Sequence, residues 1–331
     1  MSTTTADSHG RTAEQPTDIP ATGWKDVAAR TLADVKSDNA TLLSAGVAFY
    51  SLLALVPALV ALVSIYGLVA DPTDVERQVA DLLGAAPREV RELIETQLES
   101  VVDGSSGGIG LATIVGIAVA LWSASSGMKN LMTAVNVAYD EEETRKFLKL
   151  RGMSLLLTLG AILFLVVAFA VVALLPSLLA GSDLDGPARV VIGVLRWPGL
   201  AVGFAVCLSV IYRYAPNRDN ARWQWVSVGA LVATVLWIAG SLLFSLYAAN
   251  FGRYNETYGS LGAIVVVMLW LFLTAFVVIL GAEINAESER QTMEDTTEGR
   301  EKPLGQRDAH AADTVGPTAE QVKAQPRRDA G

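Results

Sequence analysis

The densest supply of side chains with chemical potential lies between Leu121 and Arg151, where an apolar run turns polar and then apolar again without a proline. At helical period Trp122, Ser126, Lys129, Thr133, Asn136 and Asp140 recur in steps of four and three. Met128, Leu131, Met132, Val135 and Ala138 lie roughly opposite. The stripe is either a helix face wetted at the membrane surface or the lining of a cavity that meets a substrate head group, and polar helix faces are most often solvated. Glu141, Glu142 and Glu143 are consecutive, so on a helix they point in different directions and read as a solvated run rather than a cation site. Glu283 stands near the inner end of the last apolar stretch. A charge at the centre of a bilayer costs about 2.5–3.5 kcal/mol, so this carboxylate is either solvated at the interface or paired with Arg145, Lys129 or Arg213 around an inner vestibule. Asn136 offers the same choice between a wetted face and an interhelical hydrogen bond. Tyr247, Phe251, Tyr254 and Tyr258 gather at the opposite end, as an aromatic belt at the head groups or as a gate.

Hydrolytic chemistry finds little support. A metal-dependent hydrolase needs converging His, Asp or Glu ligands, or a nucleophile with a positioned base. The two histidines, His9 and His310, lie in segments expected to be disordered. No phosphate-loop lysine motif and no basic groove interleaved with aromatics is present. The expectation is a protein that is not an enzyme, uses no cofactor or metal and binds no nucleic acid.

The elements that position these residues follow from composition. Across 331 residues, 52% are apolar and mean hydropathy is +0.40, too high for an ordinary soluble chain. Runs of about 20 apolar residues cross a hydrocarbon core of about 30 Å as helices. The reading is an all-α polytopic membrane protein with six transmembrane helices, expected near residues 42–69, 107–127, 153–179, 190–212, 226–247 and 261–282. Residues 1–22 and 287–331 are polar and expected to be disordered tails around a membrane domain spanning 23–286. No apolar leader opens the chain. Trp24, Val27, Ala28, Leu32 and Val35 suit a short helix lying on the membrane surface. Pro57 implies a kink or hinge in the first span. Between the first and second spans, residues 73–102 read as two amphipathic extracytoplasmic helices that cover the bundle mouth, pack on it or bind a protein partner. Cys207, the single cysteine, is a small core residue.

Lys129, Arg145, Lys146, Lys149 and Arg151 lie between spans two and three, and Arg213, Arg218 and Arg222 between four and five. By the positive-inside rule these loops are cytoplasmic, with both termini. The −9 formal net charge says little about partners, because much of it sits in the tails and one acidic loop.

The segments AGVAFYSLLALVP (Ala45 to Pro57), LWSASSGMKNLMTAVNVAYDEEETR, YRYAPNRDNARWQW (Tyr212 to Trp225) and YNETYGSLGAIVVVMLWLFLTAFVVILGAEIN (Tyr254 to Asn285) together resemble the YihY/virulence-factor BrkB family of inner-membrane proteins, over about Trp24 to Glu287. The resemblance implies six helices in the plasma (inner) membrane, a link in some members to serum resistance, and an unsettled activity. It also brings an old ribonuclease BN label, widely treated as a misassignment. Family-pattern positions are Tyr50, Pro57, Trp122, Asn136, Tyr139, Arg145, Pro216, Tyr254, Tyr258, Gly259, Trp270, Gly281, Glu283 and Asn285; Lys129 joins them from the stripe. None carries an established catalytic role in that family.

Two functions remain in competition. Transport or translocation of a lipid or envelope amphiphile suits Gly- and Pro-interrupted spans with polar residues at one side. A noncatalytic membrane scaffold that preserves envelope integrity suits the amphipathic segment 73–102. In either case the first partners are membrane lipids.

Overall fold

The computed structural model describes residues 8–66, 111–173, 175, 186–250 and 260–324. Their regular structure is helical. A 3-10 turn at Pro16–Asp18 leads into α1 (Ala21–Ser37), followed by six long helices: α2 (Ala40–Tyr66), α3 (Leu111–Ala138), α4 (Phe147–Ala173), α5 (Gly186–Tyr214), α6 (Trp223–Asn250) and α7 (Ser260–Glu289). Two short helices, α8 (His310–Asp313) and α9 (Ala319–Ala324), close the described chain.

Four helices are long and apolar enough to cross a membrane among the described residues: Phe147–Val172, Val190–Tyr214, Trp223–Tyr247 and Ile264–Glu289. A fifth arises if Ala21–Ser37 and Ala40–Leu55 are counted together across a 64° bend. The expected six is larger than this count. α3 is missing from it; its second half holds Ser123, Ser125, Ser126, Lys129, Asn130 and Thr133. α1 carries Lys25, Asp26, Arg30, Asp34 and Lys36 within 17 residues, a charge density that belongs beside a bilayer rather than inside it. It therefore lies outside the spans. The bend after it is set by Asn39, whose φ of 53° is left-handed, a conformation Asn tolerates better than most residues.

α3 ends by the same device. Asp140 has φ 53°, its N–H bonds the Val137 carbonyl at 2.9 Å, and the Glu141 N–H reaches back to the Asn136 carbonyl at 2.8 Å. These are the two bonds of a Schellman stop, and they turn the acidic run away from the helix axis.

Each of the six long helices has one end in a common polar layer. The starts of α2, α4 and α6 meet the ends of α3, α5 and α7, and the best-packed core lies beneath: Met132, Val135, Tyr139, Leu208, Tyr212, Trp225, Val226, Ile279 and Ala282 are all buried. Gly229 and Gly281 allow α6 and α7 to touch through their backbones there, since a Cβ on Gly229 would stand 2.0 Å from the Gly281 carbonyl oxygen. Small residues at a crossing are what lets helices approach this closely in lipid.

The tails depart from expectation. Residues 8–20 and 290–324 fold against the layer rather than remaining disordered. Arg11 donates to the carbonyls of Gly316 (2.7 Å), Gln291 (3.2 Å) and Arg290 (3.3 Å), while the Met293 N–H returns to the Arg11 carbonyl at 2.8 Å. Arg307, almost fully buried, donates to the carbonyls of Ala312, Met293 and Glu294 at 2.6, 2.8 and 2.9 Å. Backbone bonds made by arginine replace the apolar contacts whose absence suggested disorder. The expected helices at 73–102 lie outside the described residues.

Asp295 clamps the returning tail. Its Oδ1 accepts the Thr297 N–H at 2.9 Å and the Thr297 hydroxyl at 2.7 Å, and its Oδ2 accepts the Lys302 N–H at 2.8 Å. Burial pushes this carboxyl's pKa up, but those bonds and Arg307 outweigh it and leave it below its ordinary value. A depressed folded-state pKa adds stability above the unfolded value near 3.9, and that stability is lost as pH falls through the folded value. Hydrogen exchange across residues 295–316 is therefore expected to accelerate as pH drops below about 4 after correction for intrinsic rates, and Asp295→Asn should show the loosened strip at neutral pH. Equal protection at both pH values in the native chain would refute the clamp.

Candidate functional site

The polar stripe of α3 divides. Trp122 is 48% exposed, and Lys129 and Thr133 are exposed with it, so this part faces outward. Arg151 lies 4.1 Å over the Trp122 ring and donates to the Trp122 carbonyl at 2.6 Å, an aromatic–cation pair suited to head-group depth. Asn136, 3% exposed, turns inward. Its Oδ1 accepts the Asn217 N–H at 2.7 Å, and its Nδ2 donates to Glu143 at 3.0 Å. Arg145 holds the same Glu143 through two bonds of 2.8 and 2.5 Å and donates to the Ala215 carbonyl at 2.7 Å. Burial raises the Glu143 pKa, but Arg145 and Asn136 outweigh it and keep the group below its ordinary value.

The three neighbouring carboxylates do not converge. Glu143 serves Arg145, Glu141 accepts the His310 N–H at 2.7 Å, and the Glu142 backbone carbonyl accepts Asn217 Nδ2 at 2.7 Å. Among the described residues no group of His, Cys, Asp or Glu has the arrangement to hold a metal ion. Both histidines sit in ordered segments, contrary to expectation: His9 Nδ1 lies 2.5 Å from Asp26 and His310 Nε2 lies 3.6 Å from Asp140.

Glu283 is 2% exposed, so interfacial solvation does not describe it. The expected cationic partners are also elsewhere: Arg145 is on Glu143, Arg213 pairs with Glu298 and donates to the Ala221 carbonyl, and Lys129 faces outward. Its electrostatic neighbours are instead Asp38, Asp34, Glu287 and Asp140, and its Oε1 is buried without a hydrogen-bond partner. Asn285 knits α7 to α6, accepting the Gly229 N–H at 2.7 Å and donating to the Val226 carbonyl at 3.1 Å.

Sequence reasoning missed the strongest pairs of the layer. Arg218 grips Glu289 with bonds of 3.0 and 2.6 Å, the two side chains being 1% and 0% exposed. Arg218 also stands 5.2 Å over the Tyr139 ring; burial pushes that phenol's pKa above its ordinary value, with Glu289 adding to the effect. Arg30 pairs with Glu287 and donates to the Glu287 carbonyl at 2.8 Å and to Gln291 at 2.9 Å. The available signal was Glu283, Glu287 and Glu289 continuing the last apolar helix, with arginines enough in α1 and the α5–α6 loop to answer them.

Other expected positions lie apart from this layer. Tyr50 is 44% exposed, Pro57 is half-buried within α2, and Trp270 ends an aromatic chain through Trp237 (6.1 Å), Phe204 (4.8 Å) and Phe164 (6.3 Å). Tyr254, Tyr258 and Gly259 lie outside the described residues. A second feature opens on the bundle flank between α4 and α5. It is a groove of about 530 Å³ lined by Met153, Leu156, Gly160, Phe164, Gly203 and Tyr214 among others.

Residues 31–305 match the family model described as virulence factor BrkB. The chain belongs to this family. It is also similar to the putative ribonuclease-like protein YfkH of Bacillus subtilis, at 34% identity over 255 residues, covering 73% of this chain and 88% of that protein. A UPF0761 membrane protein of Klebsiella pneumoniae shares 32% identity over 158 residues, 47% of this chain and 53% of its own. Another from Tolumonas auensis shares 35% over 97 residues, covering 29% and 32%. No solved structure matches. Membership in the BrkB family and the apolar helices make this a multi-pass integral membrane protein.

Proposed function

We propose that the protein is an inner-membrane transport protein, with both termini cytoplasmic, that moves a lipid or envelope amphiphile along its flank rather than through a central pore. One observation carries this reading: the end of the bundle where six helices meet is filled by buried ion pairs and tails, whereas apolar space opens sideways between α4 and α5. Water and ions meet a packed plug at the layer, while a hydrocarbon chain enters the groove from the bilayer without crossing it. The layer also collects Arg145, Arg213, Arg218 and Arg222, which supports a cytoplasmic side for it under the positive-inside rule. No phosphate-loop motif supplies ATP energy, so a gradient, a partner or no energy source drives the movement.

The test is reconstitution into vesicles containing a fluorescent phospholipid. Transbilayer movement faster than in empty vesicles is expected, and a folded protein that moves no lipid or amphiphile would overturn the proposal. A reporter after Gly331 that proves external would overturn the sidedness. A second reading, a noncatalytic scaffold, draws support from the tails locked on the layer by Arg11, Arg30 and Arg307. Cross-linking in the native membrane separates the two, because a scaffold retains a stoichiometric partner.

A further inference from the structure

We infer that the α4–α5 groove is a binding site for one acyl chain of an anionic phospholipid, whose phosphate is held by Lys149 at the mouth beside the polar layer. The inference rests on the transport reading only for what the site is used for; the binding itself stands on four observations.

The groove has the length of a leaflet. It is lined from Met153 to Phe164 on α4 and from Tyr214 back to Gly203 on α5, eleven steps on each helix, or about 17 Å at 1.5 Å per residue. Half of a hydrocarbon core is about 15 Å. A chain anchored at the layer end therefore runs the groove within a single leaflet.

The groove is made by missing side chains. Gly160 faces open space, where an added Cβ would meet nothing within 4 Å, and Gly203 lets Phe164 lie close, an added Cβ falling 3.0 Å from its ring. The volume of about 530 Å³ lies within the usual range of small-molecule sites, about 300–1,000 Å³.

Lipid reaches it. Leu156, Leu163, Val202 and Val206 beside the groove are all more than half exposed, which on a membrane helix is the face turned to acyl chains. The aromatic chain from Phe164 through Phe204 to Trp237 stiffens the protein behind it.

Charge at one mouth selects the head group. Lys149 precedes Met153 by one turn on the groove face of α4, Lys146 lies just before the helix begins, and both are exposed. Side chains on a helix tilt toward its N-terminus, so Lys149 extends from the groove toward the aqueous end, its stem over apolar surface and its ammonium at phosphate depth. Tyr214 lines the same mouth from α5. In contrast, Arg151 is committed to Trp122, which leaves Lys149 as the other cation within α4.

Native mass spectrometry of the full chain in mild detergent tests this with dioleoyl phosphatidylglycerol, dioleoyl phosphatidylcholine and dioleoylglycerol. The unaltered protein is expected to retain one phosphatidylglycerol with about fivefold preference over the zwitterionic lipid, the scale of one lysine at an anionic surface. Gly160→Phe fills the groove and displaces several methylenes, each worth about fourfold, so retention of every lipid should fall at least about tenfold. Lys149→Ala, at an exposed site that leaves packing intact, should keep dioleoylglycerol and lose the preference. Unchanged retention in Gly160→Phe would overturn the site, and equal binding of all three lipids by the unaltered protein would overturn its selection of an anionic head group. A preference that survives Lys149→Ala would overturn its head-group assignment. Lipid retained by a protein that moves none in vesicles would support this site while defeating the transport reading.

Discussion

Arg218→Met is expected to lower stability by about 3–5 kcal/mol, the cost of breaking a buried ion pair by removing one partner. Glu289 is 0% exposed in its side chain, and without Arg218 its remaining contact from the tail is the Thr296 hydroxyl at 2.6 Å. A carboxylate left in that position must stay charged in a dry site or take up a proton, and both are costly. The effect should spread, because Arg218 also covers the Tyr139 ring and sits beside the Asn217 bonds to Asn136 and Thr144. The double variant Arg218→Met with Glu289→Gln should recover most of the loss, since no buried charge then lacks a partner. Thermal unfolding in detergent measures both. A single substitution that costs under about 1 kcal/mol would place the pair with ordinary surface ion pairs and remove it from any account of the layer.

The second large effect is expected at the crossing of α6 and α7. Gly229→Ala would set a Cβ 2.0 Å from the Gly281 carbonyl oxygen and 2.7 Å from the Asn285 side chain, and Gly281→Ala would set one 2.3 Å from the Tyr212 hydroxyl. The first obstacle is backbone, which no rotamer change relieves, so the helices must separate. Overpacking costs about 1–3 kcal/mol in typical cores and more where the neighbours cannot yield. Gly229→Ala belongs at or above the top of that range. Separation would also stretch the Asn285 bridge and the bond from the Tyr212 hydroxyl to the Val278 carbonyl, now 2.8 Å. Gly152→Ala is the control: its Cβ meets nothing within 4 Å, and replacing a helical glycine should stabilise by about 0.5–1 kcal/mol. If both alanines behave alike, close backbone contact is not what holds this end of the bundle.

The residues differ in how openly they announced their roles. The long apolar runs were legible as helices because a bilayer requires about 20 such residues in a row. The two-faced pattern of α3 was legible from its spacing alone. What spacing did not reveal is that the stripe splits, with Trp122 and Lys129 outward and Asn136 buried. That division depends on where the α5–α6 loop brings Asn217, more than 80 residues away in the chain. Glu283 stands at a costly position, yet its neighbours proved to be acids from α1, the α1–α2 junction, the turn after α3 and α7 itself rather than the expected cations.

The tails show the same limit. Composition argued for disorder because residues 8–20 and 290–324 have few apolar side chains to bury. Order came instead from Arg11, Arg30 and Arg307 donating to backbone carbonyls, bonds that no hydropathy pattern records. The groove was equally silent: only the placement of α4 against α5 left the space beside Gly160 open.

By itself, then, the sequence determined the solvent: a chain this apolar, in runs this long, has to live in lipid, and its arginines and lysines mark one side. The tertiary structure decided which polar groups meet, sealing one end with Arg218–Glu289 and Arg30–Glu287 and leaving space on the flank. The physical reason is range. Transfer to a bilayer is summed residue by residue along the chain, whereas a buried charge is stabilised only by the particular partner that folding brings within hydrogen-bond distance.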